Sequence, residues 1–296
     1  MSNKKHILFF LIASLFLGAC MDFFDREVNA ELPFHSPKMV INSIVNEKEN
    51  EVRVVLSRTV SMTDTASTTT GVVNPDLEVF VNKTELNFIG FDSLFNQFVF
   101  EGNLKSGDEV GVHAKAEGLP DASGSTLIPN SGELLSARLG GWTFNLNGGR
   151  VREVIFRLKD VPDEDNFYMP EFAIRRISDN SPFTTQFEYS SPLTFLSAVR
   201  NGWMVFSDNL FKNGEIEIIL WVSEQYFDYD PNNFSMFLIL NTIDKNHYEY
   251  HKAFLGQLRQ RPPDLFSGEP LPVISNINNG FGLVGSFTST EIVIED

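Results

Sequence analysis

From residue 39 onward, apolar residues recur at every second position in short runs. Val52, Val54 and Leu56 alternate within Glu51–Arg58; Leu77, Val79 and Val81 alternate in the next segment; Val110, Val112, Ala114 and Ala116 alternate in a third. A period of two sends these side chains to one face of a strand and their neighbours to the other. With Met39–Val45 and Phe98–Phe100, the pattern predicts six or seven short strands broken by Gly, Asn and Asp, which is the punctuation of a β-sandwich. The expected first domain, 37–130, is immunoglobulin-like or transthyretin-like. Thr63–Thr70, rich in Thr and Ser, is expected to be a long loop.

After the break at Ile128–Gly132 a second domain, 131–296, is expected. Val154, Phe156 and Leu158 alternate with Ile155, Arg157 and Lys159, and Glu215–Trp221 behaves similarly. Met236–Leu240 is continuously apolar, which predicts a central strand covered on both faces. Leu283–Phe287 and Glu291–Glu295 read as two further strands. One segment has a helical period, near 244–260. Asp244 can cap it, Arg259 and Arg261 suit its C-terminal dipole, and Pro262-Pro263 stops it. His247, Tyr250, His251, Phe254, Leu255 and Leu258 share its core-facing stripe. The fold class predicted is all-β: an N-terminal immunoglobulin-like or transthyretin-like sandwich followed by a second β-sandwich with one packed helix.

The first residues carry a different pattern. Lys4 and Lys5 precede the apolar run Ile7–Leu17, which suits a secretory signal and is too short for a membrane-spanning helix of about 20 residues. The run ends in Leu17-Gly18-Ala19-Cys20, which resembles a bacterial lipobox. That resemblance implies a signal peptide over 1–19, cleavage before Cys20, and acylation of the Cys20 thiol. Multiple acyl chains anchor stably where one is marginal. Residues 20–36, with Asp22, Asp25, Glu27 and Glu31, read as an acidic linker. It resembles the surface-export signals of Bacteroidota lipoproteins, although Met21 and Phe23-Phe24 interrupt the acidic run.

Charge narrows the partners. The chain has 23 Lys plus Arg against 39 Asp plus Glu, a formal charge of −16. Loss of Lys4 and Lys5 with the signal leaves 21 against 39, or −18. Such a body lacks the cations that replace phosphate counterions, so no nucleic acid is expected as a partner. Anionic lipid heads repel it, and it is expected to hang from the membrane on its tether. Cys20 is the only cysteine, which removes a disulfide framework and a cysteine-based zinc site.

Candidate chemistry is sparse. His247 and His251 have the helical spacing of a metal pair, but Glu249 points away from their face and no third ligand is evident nearby. Asp228-Tyr-Asp230-Pro-Asn232-Asn233 starts like a calcium loop, then lacks the glycine and bidentate glutamate that complete one. No Gly-x-Ser-x-Gly elbow occurs. No catalytic residue, metal or cofactor is therefore assigned. The 28 Phe exceed three Trp and six Tyr, a balance that favours core filling. Trp142, after Gly140-Gly141, and Trp203, after Asn201-Gly202, stand near turns where an indole can either fill a core edge or stack on a ligand. Asp64-Thr65-Ala66 and Asp92-Ser93-Leu94 resemble Bacteroidota O-glycosylation acceptors at Thr65 and Ser93.

The tail carries the widest resemblance. Phe266-Ser-Gly-Glu269-Pro270, then Ser275-Asn276-Ile277-Asn-Asn-Gly280-Phe-Gly282-Leu-Val-Gly285, is similar to the closing signature of the Bacteroidota lipoprotein family known as domain of unknown function 4249. Tyr248-Glu-Tyr250 and the opening Met39–Asn46 with Val52–Val60 resemble other parts of that family. The resemblance implies an outer-membrane lipoprotein, surface-facing, and often encoded beside TonB-dependent receptors. The function expected is a non-enzymatic accessory that assists a TonB-dependent transporter in ligand capture or surface assembly. A structural or adhesive surface lipoprotein is the alternative, and a hydrolase built on dispersed carboxylates a third. Glu269, Pro270, Ser275, Asn276, Ile277, Gly280, Gly282 and Gly285 are expected to serve folding, the glycines through positive φ or close approach and Asn276 through local hydrogen bonds.

Overall fold

The computed structural model describes residues 36–60, 70–184, 189–191, 197–198, 204–228, 230, 232–259 and 274–295. The expected first hairpin forms: β1 (Met39–Asn46) buries Met39, Ile41 and Val45, and β2 (Glu51–Arg58) buries Val52, Val54 and Leu56. The first half continues through β3 (Asp76–Val81), β4 (Thr84–Glu85), β5 (Phe88–Asp92), β6 (Gln97–Glu101), β7 (Glu109–Lys115) and β8 (Ala122–Leu127). The second half opens with β9 (Glu133–Phe144), β10 (Arg150–Lys159) and β11 (Phe167–Arg176). Short strands β12 (Pro182–Thr184), β13 (Tyr189–Ser190) and β14 (Ser197–Ala198) precede β15 (Met204–Ser207) and β16 (Glu215–Ser223). The chain closes with β17 (Phe234–Ile243), helix α1 (Lys245–Arg259) and β18 (Phe281–Val293).

A ten-stranded sheet, β14-β15-β11-β17-β18-β1-β2-β6-β5 with β12 beside β11, forms the backbone of the molecule. Two four-stranded sheets pack on it, β4-β3-β7-β8 and β13-β16-β10-β9. The first encloses a core of Ile41, Val54, Phe100, Val79, Val112 and Ala122. The second brings Phe156, Leu158, Ile218 and Leu220 against Tyr168, Ile174, Phe206, Leu238 and Leu240. Each such side chain removed from water contributes roughly 1.5–3 kcal/mol, so these two layers hold the fold together. The class is all-β and sandwich-like with one helix.

The last strand corrects the expected organisation of the tail. Leu283–Phe287 and Glu291–Glu295 are not two strands: Phe281–Val293 is a single strand of 13 residues. It pairs in parallel with β1 and antiparallel with β17. Val284 enters the first core, while Ile292 and the following Ile294 reach the second. The end of the sequence thus joins sheets that a division at residue 130 treats separately, because β1 needs a partner on its open edge.

Two further differences have local causes. β17 is central in pairing but Phe237 and Ile239 are only half-buried. Helix α1 covers that face only near Ile243, where Tyr248 and Ile243 cluster with Phe167, Met169, Phe254 and Phe287. Tyr248, off the expected helix stripe, is buried and stacks on Phe167 at 4.5 Å. β11 contains Pro170, which has no N–H to give. It lies between the residues that pair with β15 and those that pair with β12. Thr63–Thr69 of the expected loop lies outside the described residues.

Candidate functional site

The β9–β10 hairpin closes on Asn145. Its Oδ1 accepts hydrogen bonds from the backbone N–H groups of Asn147 and Gly149, and Gly148 takes a φ of 80°. Past the end of the core the hairpin leaves apolar groups uncovered: Trp142 is 42% exposed, Phe144 64% and the turn residue Leu146 95%. These residues stand at an open end of the second sandwich. Trp142 meets Phe227 edge-on with ring centres 5.5 Å apart, and Phe227 in turn lies 6.0 Å from Phe172 of the core. The aromatic end is therefore braced from within.

Two cations flank the indole. The Arg150 guanidinium lies 4.6 Å from the Trp142 ring centre and donates to Glu224 Oε1 at 2.5 Å. Arg152 lies 5.6 Å from Trp142 and 5.7 Å from Phe227. Guanidinium over an aromatic face is attractive, and Arg152 Nε also donates to the Gly140 carbonyl at 3.5 Å.

On the opposite face of β10 and β16 from Trp142 and Arg152 is a cavity of about 290 Å³ lined by Asn145, Leu146, Asn147, Val151, Ser190, Ser191, Trp221 and Ser223. Trp221 Nε1 is buried and has no hydrogen-bond partner among the described residues. An orphaned buried donor costs about 1–3 kcal/mol, which a ligand oxygen placed there recovers. Hydroxyls, side-chain amides and an indole beside apolar wall atoms suit a small, neutral, polar ligand of sugar-like chemistry. Of the two tryptophans singled out in the sequence, Trp142 belongs to this end of the sandwich and Trp203 lies outside the described residues. Trp221 gave no sequence signal, because in Glu215–Trp221 it reads as one more strand residue.

The histidine pair packs between α1 and β18. Asp244 caps the helix, accepting from the N–H groups of Asn246 and His247, and its other oxygen accepts from Ser286 N at 2.5 Å. His247 Nδ1 faces the Ser286 carbonyl at 3.4 Å, so this nitrogen carries the proton. Its Nε2 then accepts from His251 Nε2 at 3.0 Å. Burial lowers both imidazoles to about 4, with His247 also depressing His251. The same burial raises the Asp244 carboxyl. Among the described residues no three His, Cys, Asp or Glu side chains converge as a metal site.

The signature residues are woven into the sheet. Asn276 donates to the carbonyls of Ser125 and Val284 and accepts from Val284 N, clipping β8 to β18. Ser275 accepts from Ile277 N, and Ile277 is buried in the first core. A Cβ at Gly280 would meet the Met39 carbonyl at 2.7 Å. Gly282 has a φ of 114°, and at Gly285 the strand passes close to His247 and Asp244. Asn276 also borders a polar groove of about 470 Å³ with Phe80, His113, Ser123, Asn246 and Asn278. Asp230 accepts from the side chains of Asn232 and Asn233, forming a turn. Ser93 is exposed in the β5–β6 turn. Cys20, Thr65, Glu269 and Pro270 lie outside the described residues.

Sequence reading also missed a buried polar knot. Asp160 accepts from Tyr168 Oη at 2.6 Å, Asn166 Nδ2 at 3.2 Å and Asn213 N at 2.8 Å, while Asn166 N donates to Asp208. Asp160, Asn166 and Tyr168 lie close in sequence, but Asp208 and Asn213 come from more than 40 residues on, and no local motif marks the set.

Comparison with known proteins adds the following. The family model described as "Domain of unknown function (DUF4249)" matches residues 25–292. No curated protein matches the sequence. A crystal structure of a Corynebacterium diphtheriae protein described as membrane anchored is similar at 11% identity and a TM-score of 0.21, over 71% of this chain and 55% of that one. The chain thus spans little more than half the length of that neighbour. Among the described residues no helix is long and apolar enough to cross a membrane.

Proposed function

From the premise that this chain belongs to the family of domain of unknown function 4249, we propose that it is a lipid-anchored Bacteroidota outer-membrane protein that captures a ligand for a TonB-dependent transporter. It works without catalysis. The anchor is the acylated Cys20, supported by the Leu17-Gly18-Ala19-Cys20 motif. The body faces the cell surface, as the acidic residues that follow Cys20 support. The observation that carries the capture role is Trp221 Nε1, which has no hydrogen-bond partner among the described residues and belongs to a residue lining a polar cavity. A site of this kind orients a polar ligand by a few donors while apolar walls supply contact area.

The experiment follows the full chain in its host. Wild-type protein should incorporate labelled palmitate and remain with envelopes, and Cys20→Ser should release it. Under mild detergent the wild-type chain should co-purify with the transporter encoded beside it. Trp221→Phe removes the orphaned donor while keeping ring packing, so stability should hold or rise by up to about 1 kcal/mol while transporter-dependent ligand uptake falls. Normal uptake in a deletion strain, or no shared complex, would refute the accessory role.

A further inference from the structure

The described residues hold a second apolar surface, far richer than the Trp142 end. Strand β5 and its turn into β6 expose Phe88, Ile89, Phe91, Leu94 (82% exposed) and Phe95 (63%). Isolated exposed apolar residues are ordinary, but five from one hairpin mark a contact surface. The hairpin is rigid at its base: Phe91 packs on Phe98 at 4.9 Å, and Phe88 on Phe100 at 5.4 Å, continuing the first core outward. Asp92 Oδ1 accepts from the N–H groups of Leu94 and Phe95, which fixes the turn with both side chains outward. Asp92 is the only charged residue between Phe88 and Phe98, and Arg53 of β2 lies against it at 3.5 Å.

The place of this turn says what it meets. Along β2, Met39 pairs with Arg58 and Phe98 with Val54, while Asp92 pairs with Gln97. The turn 93–96 and the start of β1 therefore lie at the same end of the ten-stranded sheet. The chain that leads from Cys20 enters at that end. Sixteen residues, 21–36, separate Cys20 from Pro37, which at full extension reach no more than ~60 Å. A lipid attached at Cys20 thus keeps this end of the body, with its Phe- and Leu-bearing turn, within a tether's length of the bilayer.

We propose that the β5–β6 hairpin is a membrane wedge, inserting Leu94 and Phe95 at the headgroup–acyl boundary as a second point of attachment beside the lipid. This inference rests on the lipid-anchor reading. It replaces the expectation, drawn from charge, that the body hangs free: net negative charge opposes anionic heads, but an almost uncharged hairpin enters a zwitterionic interface by apolar contact alone. Between Phe88 and Phe98 only Asp92 is charged, so the tip has little to pair with a charged protein surface, which favours lipid as the occupant.

The test uses the acylated full chain in phosphatidylcholine vesicles containing nitroxide-labelled phosphatidylcholine. An environment-sensitive fluorophore is attached at Phe95→Cys or, at the opposite end of β1, at Lys48→Cys. The probe at 95 should be quenched by lipid nitroxide about twofold or more above the probe at 48, as expected for side chains 5–10 Å into the boundary. Adding Leu94→Asp should return the probe at 95 to the emission seen at 48, and near-ultraviolet circular dichroism confirms that each variant is folded. Equal quenching at both sites overturns the wedge. So does a probe at 95 that is shielded from water without lipid quenching, with doubled mass indicating a second copy or protection only when the transporter is present. A sugar mass on Ser93 also overturns it. Palmitate incorporation is scored separately: an acylated chain unquenched at 95 sinks the wedge alone, and a chain without palmitate sinks the anchor reading and the wedge with it.

Discussion

Gly282 and Gly285 differ in what an added methyl group would meet. At Gly282 a Cβ would fall 2.0 Å from the Ile41 carbonyl oxygen, with φ already at 114°. Neither the parallel β1–β18 pairing nor the backbone angle admits it. Gly282→Ala is expected to cost at least ~3 kcal/mol and to lower the thermal midpoint by several degrees in calorimetry. At Gly285 the nearest atoms are His247 Cβ at 3.2 Å and Asp244 Oδ2 at 3.3 Å, so the helix can yield slightly. Gly285→Ala should cost about 1 kcal/mol, and equal losses for the two variants would refute this account. The spacing of these glycines was readable in the sequence. Which one touches a carbonyl and which one a helix was not, since both partners lie far away in the chain.

At the scale of elements, α1 was the most legible feature, because an acidic cap, an apolar stripe and a double proline agree on its limits. Its contact with β18 carries a pH dependence. His247 and His251 titrate near 4 in the folded chain, against 6.5 when unfolded, so between these values the unfolded chain binds more protons. Their contribution is fully present above 6.5 and is lost as pH falls toward 4. Asp244 and Glu171, both raised by burial, act in the opposite sense, since each favours a proton in the folded state above the usual carboxylate range. His251→Gln should reduce the slope of unfolding free energy against pH between 6.5 and 4 by about half in urea titrations. An unchanged slope would show that the histidines do not set it. β9 and β11 were less legible, because Gly140-Gly141 and Pro170 interrupt the period that would reveal them.

For the whole molecule the decisive element is β18, which lies beside β1 and β17 in a shared sheet. The two cores should therefore unfold together. Leu238 is fully buried in the second core, and Leu238→Ala removes about 2–5 kcal/mol there. Amide exchange in β2, in the other sandwich, should accelerate along with exchange in β10. Protection of β2 that survives the substitution would mean that the halves are energetically separate.

By itself the sequence determined the strand-rich class, the first hairpin, the helix and its cap, and the glycine spacing of the tail, because period, capping and turn chemistry act over a few residues. Only the tertiary structure decided that one closing strand serves both cores and that Asp160 is tied to Asn213. It also left Trp221 Nε1 without a hydrogen-bond partner among the described residues and set an apolar turn at the end where the tether enters. Those outcomes depend on which distant segments become neighbours, and a local pattern of polar and apolar residues does not encode the identity of a neighbour.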